Sequence, residues 1–343
     1  MMIPAKQNVI EVLRNVVYFP KGSNIVDLEM VKEIEVGVDL IRFHLYFEKL
    51  GDEKNQFLID SAKNALEEAF KGVKVDIIVE EIPNNLSKVH HIIAVASGKG
   101  GVGKSTVSAN LAIALAMQGF RVGLLDADIY GPSVPIMFGT EGTQPECYDK
   151  DGKTIMVPVE KFGIKLMSIG NMVDSNQPLI WRGPMASSAL TQLMGDTDWG
   201  EVDFMVVDMP PGTGDIQLCI AQNYNIDGAV IVTTPQKVAF ADVRRAAMMF
   251  KHKGVNVPIL GLVENMAYFT PSDMPEKKYF IYGDCHGREF AKELDIPFLA
   301  QIPIDEKVAN AGDTGQPYTF NNPCSPVTAA FNKLANNIIQ EIL

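Results

Sequence analysis

The sequence predicts an α/β protein in which a mostly parallel central sheet is flanked by helices and preceded by a small α+β domain. Three observations carry that expectation. After residue 90, six short β-rich runs (91–96, 121–128, 203–210, 228–235, 257–265 and 297–303) alternate with helical stretches. Their apolarity is continuous rather than alternating, which means strands buried on both faces, as in a parallel sheet covered by helices. Several runs end in Asp, Gly, Pro or Asn. Polar residues therefore collect at the carboxyl edge of the sheet, where open α/β folds bind ligands.

The small domain is expected over residues 1–82. Ile10, Leu13 and Val17 recur at helical spacing, and "LIRFHLYF" (40–47) alternates, with Ile41, Phe43, Leu45 and Phe47 on one face of a half-buried strand. Ile34 and Val36 precede it across a turn near Gly37, which predicts a hairpin. Leu58, Ala62, Leu66 and Phe70 form an i, i+4 stripe, and "VDIIV" (75–79) closes an α-β-β-α-β unit. The stretch "EIPNNLSK" (81–88) is polar and contains Pro and Asn, which sets a linker at 83–90. The larger domain then occupies 91–343. Its first helix carries Val107, Leu111 and Leu115 on one stripe, with Gly119 as C-cap candidate. The tail "VTAAFNKLANNIIQEIL" has apolar helical spacing and Lys333 as its one cation, the pattern of a packed terminal helix.

Bulk properties exclude several classes. A hydrophobic fraction of 47% and a charged fraction of 21% over 343 residues describe an ordinary globular protein. The formal net charge of -12 argues against a general nucleic-acid binder, whose footprint is a basic face. The first residues lack the apolar core of a signal peptide, and no apolar run reaches the roughly 20 residues that span a bilayer. A cytoplasmic protein with neither nucleic acid nor membrane as partner is expected. The four cysteines, Cys147, Cys219, Cys285 and Cys324, form no C-x-x-C pair and read as free thiols, mostly buried as small apolar residues.

The strongest chemical signal is "SGKGGVGKST" (97–106). It contains G-x-x-x-x-G-K-[ST] between a strand and a helix, the context a phosphate-binding P-loop requires. Gly98, Gly100, Gly101, Val102 and Gly103 would close backbone N–H groups around phosphate oxygens at a helix N-terminus. Lys104 would reach the β- and γ-phosphates, the Ser105 hydroxyl would ligate Mg²⁺, and Thr106 would pack or cap. Magnesium held through its water shell needs an acid at a neighbouring strand end. Asp208 in "DFMVVDMPPGTGD" supplies one, followed by a loop in which Gly212 is placed to sense the γ-phosphate. Asp126 and Asp128 in "LLDADIYGPS" supply two more, Asp126 toward Mg²⁺ and Asp128 to orient the attacking water.

Lys99 is a second lysine, early in the loop and beside two glycines that let another backbone approach. Phosphoryl transfer gains from a cation delivered to the developing charge, often in trans. "KGGVGKS" resembles the deviant P-loop of the Min/Par/Nif class of dimeric ATPases, and the resemblance implies that Lys99 crosses a dimer interface to the partner's nucleotide.

"WRGPM" (181–185), "DWGEVDFMVVDMPPGTGDIQL" (198–218), "TTPQKVAFADVRRA" (233–246) and "GLVENMAYF" (261–269) together resemble the Mrp family of iron–sulfur cluster carrier ATPases over nearly the whole chain. The first domain, with "NIVDLEMVKEIEV" (24–36), is similar to the small domain that often precedes the ATPase in bacterial members. The resemblance implies ATP and Mg²⁺, a 4Fe–4S cluster shared across a homodimer, and delivery of clusters to apoproteins. It also implies that Asn265 contacts the adenine ring and that Arg182 belongs to a signature near the switch loop. The sequence departs from the family at the cluster ligands. The usual C-x-x-C positions fall on Pro271 and Met274. Cys285, with His286 beside it, is the substitute Fe–S ligand candidate, both being ligand types for such clusters. The alternative function is a nucleotide-switched positioning or regulatory ATPase that acts on protein partners without binding a cluster.

Overall fold

The computed structural model describes residues 5–19, 22–47, 50, 53–81, 85–150, 152–172, 181, 183–284 and 286–343. Arg182 and Cys285 lie outside them. The chain divides into two units, Met1–Pro83 and Asn84–Leu343.

The first unit runs α1 (Lys6–Leu13), β1 (Val17–Tyr18), β2 (Ser23–Asn24), β3 (Val31–Val36), β4 (Leu40–Phe47), α2 (Glu53–Ala69) and β5 (Lys74–Glu81). β3 and β4 pair antiparallel, with Gly37 N–H on the Leu40 carbonyl at the turn, and β5 joins β4 in parallel. The period-two pattern of β4 does what its chemistry requires: Ile41, Phe43, Leu45 and Phe47 are all buried, facing Leu58, Ala62 and Leu66 of α2. Val17 is not part of the first helix, which ends at Leu13 and buries Val9 and Leu13. The β-branched pair Val16–Val17 follows a turn and enters a short hairpin, Val17 opposite Asn24.

The second unit contains β6 (Val89–Ser97), α3 (Lys104–Met117), β7 (Val122–Asp126), α4 (Val134–Phe138), β8 (Cys147–Lys150), β9 (Lys153–Met156), β10 (Val159–Lys161) and β11 (Ile164–Ser168). It continues with α5 (Gly183–Gly195), β12 (Val202–Asp208), α6 (Asp215–Asn223), β13 (Gly228–Thr233), α7 (Lys237–Phe250), β14 (Ile259–Glu264) and α8 (Gly287–Glu293). β15 (Phe298–Gln301), α9 (Glu306–Asp313), α10 (Tyr318–Asn321) and α11 (Pro326–Ile342) complete it. Eight strands form one sheet in the order β10-β11-β7-β12-β6-β13-β14-β15, parallel except for β10. All six continuous apolar runs are strands of it. β10 and β11 were not expected: "GIKLMSIG" is interrupted by Lys165 and gives no continuous run, yet β11 pairs along the whole of β7.

Helices cover both faces, as buried strands demand. On one side Leu111 and Leu115 of α3 pack with Phe331, Leu334 and Ile338 of α11; on the other, Leu190 and Met194 of α5 meet Trp199, Met205 and Phe250. The terminal helix is thus a packed one. No helix among the described residues is long and apolar enough to cross a membrane. The cysteines differ from expectation: Cys147 and Cys324 are exposed and Cys219 is half-buried, all three as free thiols. Cys147 opens the β8–β9 hairpin, which is a separate two-stranded sheet, and Cys324 sits in the turn before α11.

Candidate functional site

Strand order turns at β6, which has β12 on one side and β13 on the other, so a crevice opens at its carboxyl end. The P-loop leaves β6 there and enters α3. Two of its glycines are dictated by close approach. A Cβ on Gly98 would lie 2.2 Å from the Asp242 carbonyl carbon, and one on Gly103, which has φ +79°, would lie 2.3 Å from Asn265 Nδ2. Gly100 differs, since a Cβ there would meet nothing within 4 Å. The loop is braced from inside by the Ser97 hydroxyl, which donates to the Lys99 carbonyl at 2.9 Å.

Behind the loop lies a buried charged cluster. The Lys104 ammonium is 6% exposed and donates to Asp208 Oδ1 at 2.8 Å, with Ser105 Oγ at 3.3 Å and Asp128 Oδ2 at 3.9 Å. Asp208 Oδ1 also accepts from the Ser108 hydroxyl at 2.7 Å, whereas Asp208 Oδ2 is buried without a hydrogen-bond partner. Asp126 is fully buried and accepts from the Asp128 and Val134 backbone N–H groups and from the Ser168 hydroxyl. Burial, and then the nearby Asp208 charge, push its carboxyl up to about 7 against the opposing pull of Lys104. Asp128 is raised too, by burial first. The set offers hard oxygen atoms and one unsatisfied carboxylate oxygen, which fits Mg²⁺ chemistry.

The structure therefore brings Lys104, Ser105, Asp126, Asp128 and Asp208 together. Gly212 has φ +94°, and its N–H donates to the Ser97 carbonyl at 2.9 Å, tying the switch loop to the end of β6. Asn265 donates from its side-chain amide to the Val102 carbonyl at 2.8 Å, a strut under the P-loop. Thr106 and Asn265 line a neighbouring cavity of about 370 Å³. Lys99 is half-exposed, and its ammonium has no hydrogen-bond or ion-pair partner among the described residues. Pro271 and Met274 stand in a turn, Met274 N–H on the Pro271 carbonyl, at the tip of a hairpin closed by Phe269 and Tyr279. His286 meets Glu289 at 3.3 Å.

Three supporting residues were not anticipated. Ser108 lies on α3 four positions after Lys104, about one helical turn on, and that spacing was a legible signal. Ser168 ends β11, a strand the pattern did not reveal. Gln217, 4% exposed, donates to the carbonyls of Pro210 and Pro211 and so fixes the switch loop.

The chain matches the ParA family model described as NUBPL iron-transfer P-loop NTPase over residues 88–339. It belongs to that family. An iron-sulfur cluster carrier protein of Aquifex aeolicus is 52% identical over 256 residues, covering 74% of this chain and 68% of the relative. A protein of the same description from Synechocystis sp. is 39% identical over 343 residues, covering 97% of each chain. Among solved structures, the nucleotide-binding protein from Archaeoglobus fulgidus in complex with ADP is 39% identical, with a TM-score of 0.58 over 68% of this chain and 89% of that one. This member is thus a P-loop NTPase whose family is defined by iron transfer.

Proposed function

We propose that the protein is an ATP-hydrolysing, dimeric iron–sulfur cluster carrier that delivers clusters to apoproteins in the cytoplasm. The observation that carries this reading is the buried Lys104–Asp208 pair with its unpartnered Asp208 Oδ2, joined to a family whose relatives are named as cluster carriers. ATP would place its phosphates against the glycines of 98–103, where Lys104 moves from Asp208 onto the β- and γ-phosphates. Ser105 would ligate Mg²⁺ directly, and Asp126 and Asp208 would hold its waters. Magnesium, when bound, would supply charge neutralisation at the phosphates. Asp128, at the mouth of the cluster, would orient the attacking water, and Gly212 would report the γ-phosphate by exchanging its bond to Ser97.

Lys99 and Gly100 support the dimer. A half-exposed lysine without a partner, next to a glycine whose missing Cβ faces open space, suits approach by a second copy. In that arrangement Lys99 would serve the partner's nucleotide. The exposed free thiols fit a reducing compartment.

The cluster is cargo, and its ligands cannot be the usual pair, because Pro271 and Met274 hold those positions. Cys285 from each subunit, with His286, is the proposed substitute. The same two residues favour a second reading, an ATPase that regulates cluster-bearing partners and binds none itself. Anaerobic reconstitution of the wild type beside Cys285→Ser separates the two. Iron and sulfide retained at a dimer-shared ratio by the wild type and lost in the variant support the carrier; retention by neither supports the regulator.

A further inference from the structure

The 370 Å³ cavity beside α3 is large enough for a small-molecule group and mostly apolar. Thr106, Asn265, Met266, Ile304 and Val308 line it, and buried Phe331 forms part of its wall. It starts within the first turn of α3, about 3 Å along the helix axis from Lys104 at a rise of about 1.5 Å per residue. A nucleotide whose phosphates sit at the helix N-terminus would extend its base into this space. One further residue faces it from a segment the P-loop chemistry leaves unused. Tyr282, 38% exposed, is the aromatic side chain of the lining that retains open surface.

We propose that the Tyr282 ring is a wall of the base subsite and contacts the purine of the bound nucleotide. This rests on the reading of the P-loop as an ATP site and adds the residue that reads the base. An aromatic face suits that role because every base presents a π-face, and stacking on it needs no hydrogen-bond register. The backbone that carries the ring is held in place. Gly283 N–H donates to the Phe280 carbonyl, and its φ of +95° turns the chain sharply after Tyr282. Phe269 and Tyr279 exchange both backbone bonds at 2.8 Å, and Phe280 packs edge-on against Tyr268. Tyr268 accepts from Ile304 N–H at 2.7 Å, which ties the hairpin to the opposite wall of the same cavity. Beyond the turn, fully buried Glu264 accepts from Gly287 N–H at 2.9 Å and anchors the start of α8.

The hairpin that delivers Tyr282 also carries Pro271 and Met274 at its tip, the positions at which the family resemblance would place cluster ligands.

The test is calorimetric binding of ATP and of inorganic tripolyphosphate, both with Mg²⁺, to the wild type, Tyr282→Ala, Tyr282→Phe and Lys104→Ala. Tyr282→Ala should weaken ATP roughly 5- to 150-fold and leave tripolyphosphate within about twofold, while Tyr282→Phe keeps both. Unchanged ATP affinity in Tyr282→Ala, or equal weakening of ATP and tripolyphosphate, overturns the proposal. Lys104→Ala tests the underlying site separately. If that variant still binds ATP normally, the nucleotide site itself is misplaced and the base subsite falls with it. If it loses both ligands while Tyr282→Ala loses neither, the nucleotide site stands and only the base contact is wrong.

Discussion

The two ends of the same sheet treat charge in opposite ways. At the amino end, Arg121 sits half-exposed between Glu201 and Asp203, and Asp227 accepts from the Ile92 N–H; every one of these groups has a partner. At the carboxyl end, Lys104, Asp126 and Asp208 are all buried, one carboxylate oxygen has no partner, and one carboxyl is driven up to about 7. Burying three charges this way is expensive, because desolvation of an ion can exceed its Coulombic return. A fold under no functional demand would place them as the amino end does. The difference marks the carboxyl end as the candidate nucleotide site, and the amino end as a simple surface ion-pair network.

The sharpest way to break the comparison is Lys104→Ala. Removing one member of a buried pair leaves Asp208 beside Asp126 without compensation, which costs on the order of 3–5 kcal/mol. Nucleotide should no longer rescue it, since the phosphate contact is lost as well. Thermal melts with and without Mg-ATP check both parts: a lower melting point that ATP does not raise is expected, and an ATP-dependent rise would refute the assignment. Asp208→Asn should act next most strongly. It keeps an oxygen for Lys104 but weakens the hold on magnesium, so the gain in ATP affinity on adding Mg²⁺ should shrink roughly 10- to 100-fold. Titration with and without EDTA measures it, and an undiminished magnesium effect would remove Asp208 from the metal site.

Two subtler variants sharpen the same contrast without disturbing the buried core. Asp128 stands at the mouth of the cluster, so Asp128→Asn should bind ATP, hydrolyse it slowly and accumulate as the ATP-bound dimer on gel filtration. Lys99→Ala should leave ATP affinity within about twofold and lower turnover by about 1,000-fold or more, as loss of a trans-acting cation does. Mixing it with an Asp128→Asn subunit tests the crossing directly. Only a lysine that serves the partner site can restore activity in the mixed dimer, and parallel losses would place Lys99 in its own site.

How much of this was legible depended on whether the chemistry was local. The P-loop announced itself because glycines, lysine and serine must occur at fixed spacing to wrap a phosphate. Asp126 and Asp208 were legible because they terminate continuous apolar runs. The struts were harder. Asn265 reaches Val102 across 163 positions of sequence, and Glu264 anchors Gly287 from a buried strand end; each joins elements that only the fold brings together. β11 was missed because Lys165 interrupts its run while the folded strand sends that side chain out to the Trp199 carbonyl. With β11 went Ser168, whose hydroxyl helps hold Asp126. Tyr282 gave no signal of its own, since one aromatic at the end of the run 279–282 acquires meaning only when the cavity beside it is seen.

The smallest expected effect lies at the amino end. Arg121 donates from its guanidinium to Asp203 at 2.6 and 3.1 Å, and this holds the Asp203 carboxyl down at about 2. The folded value is below the ordinary carboxylate value of 3.8, so the contribution is present above that pH and fades as pH falls toward 2. Arg121→Ala does not remove everything, because the residue's backbone N–H still donates to Asp203 at 2.8 Å. With both side chains reached by solvent, the variant should lose less than about 3 °C of melting temperature near neutral pH. That gap should close between pH 4 and pH 2, where Asp203 takes up its proton in either protein. Melting curves across that range decide the matter, and a loss comparable to that of Lys104→Ala would mean the two ends of the sheet do not differ as their burial implies.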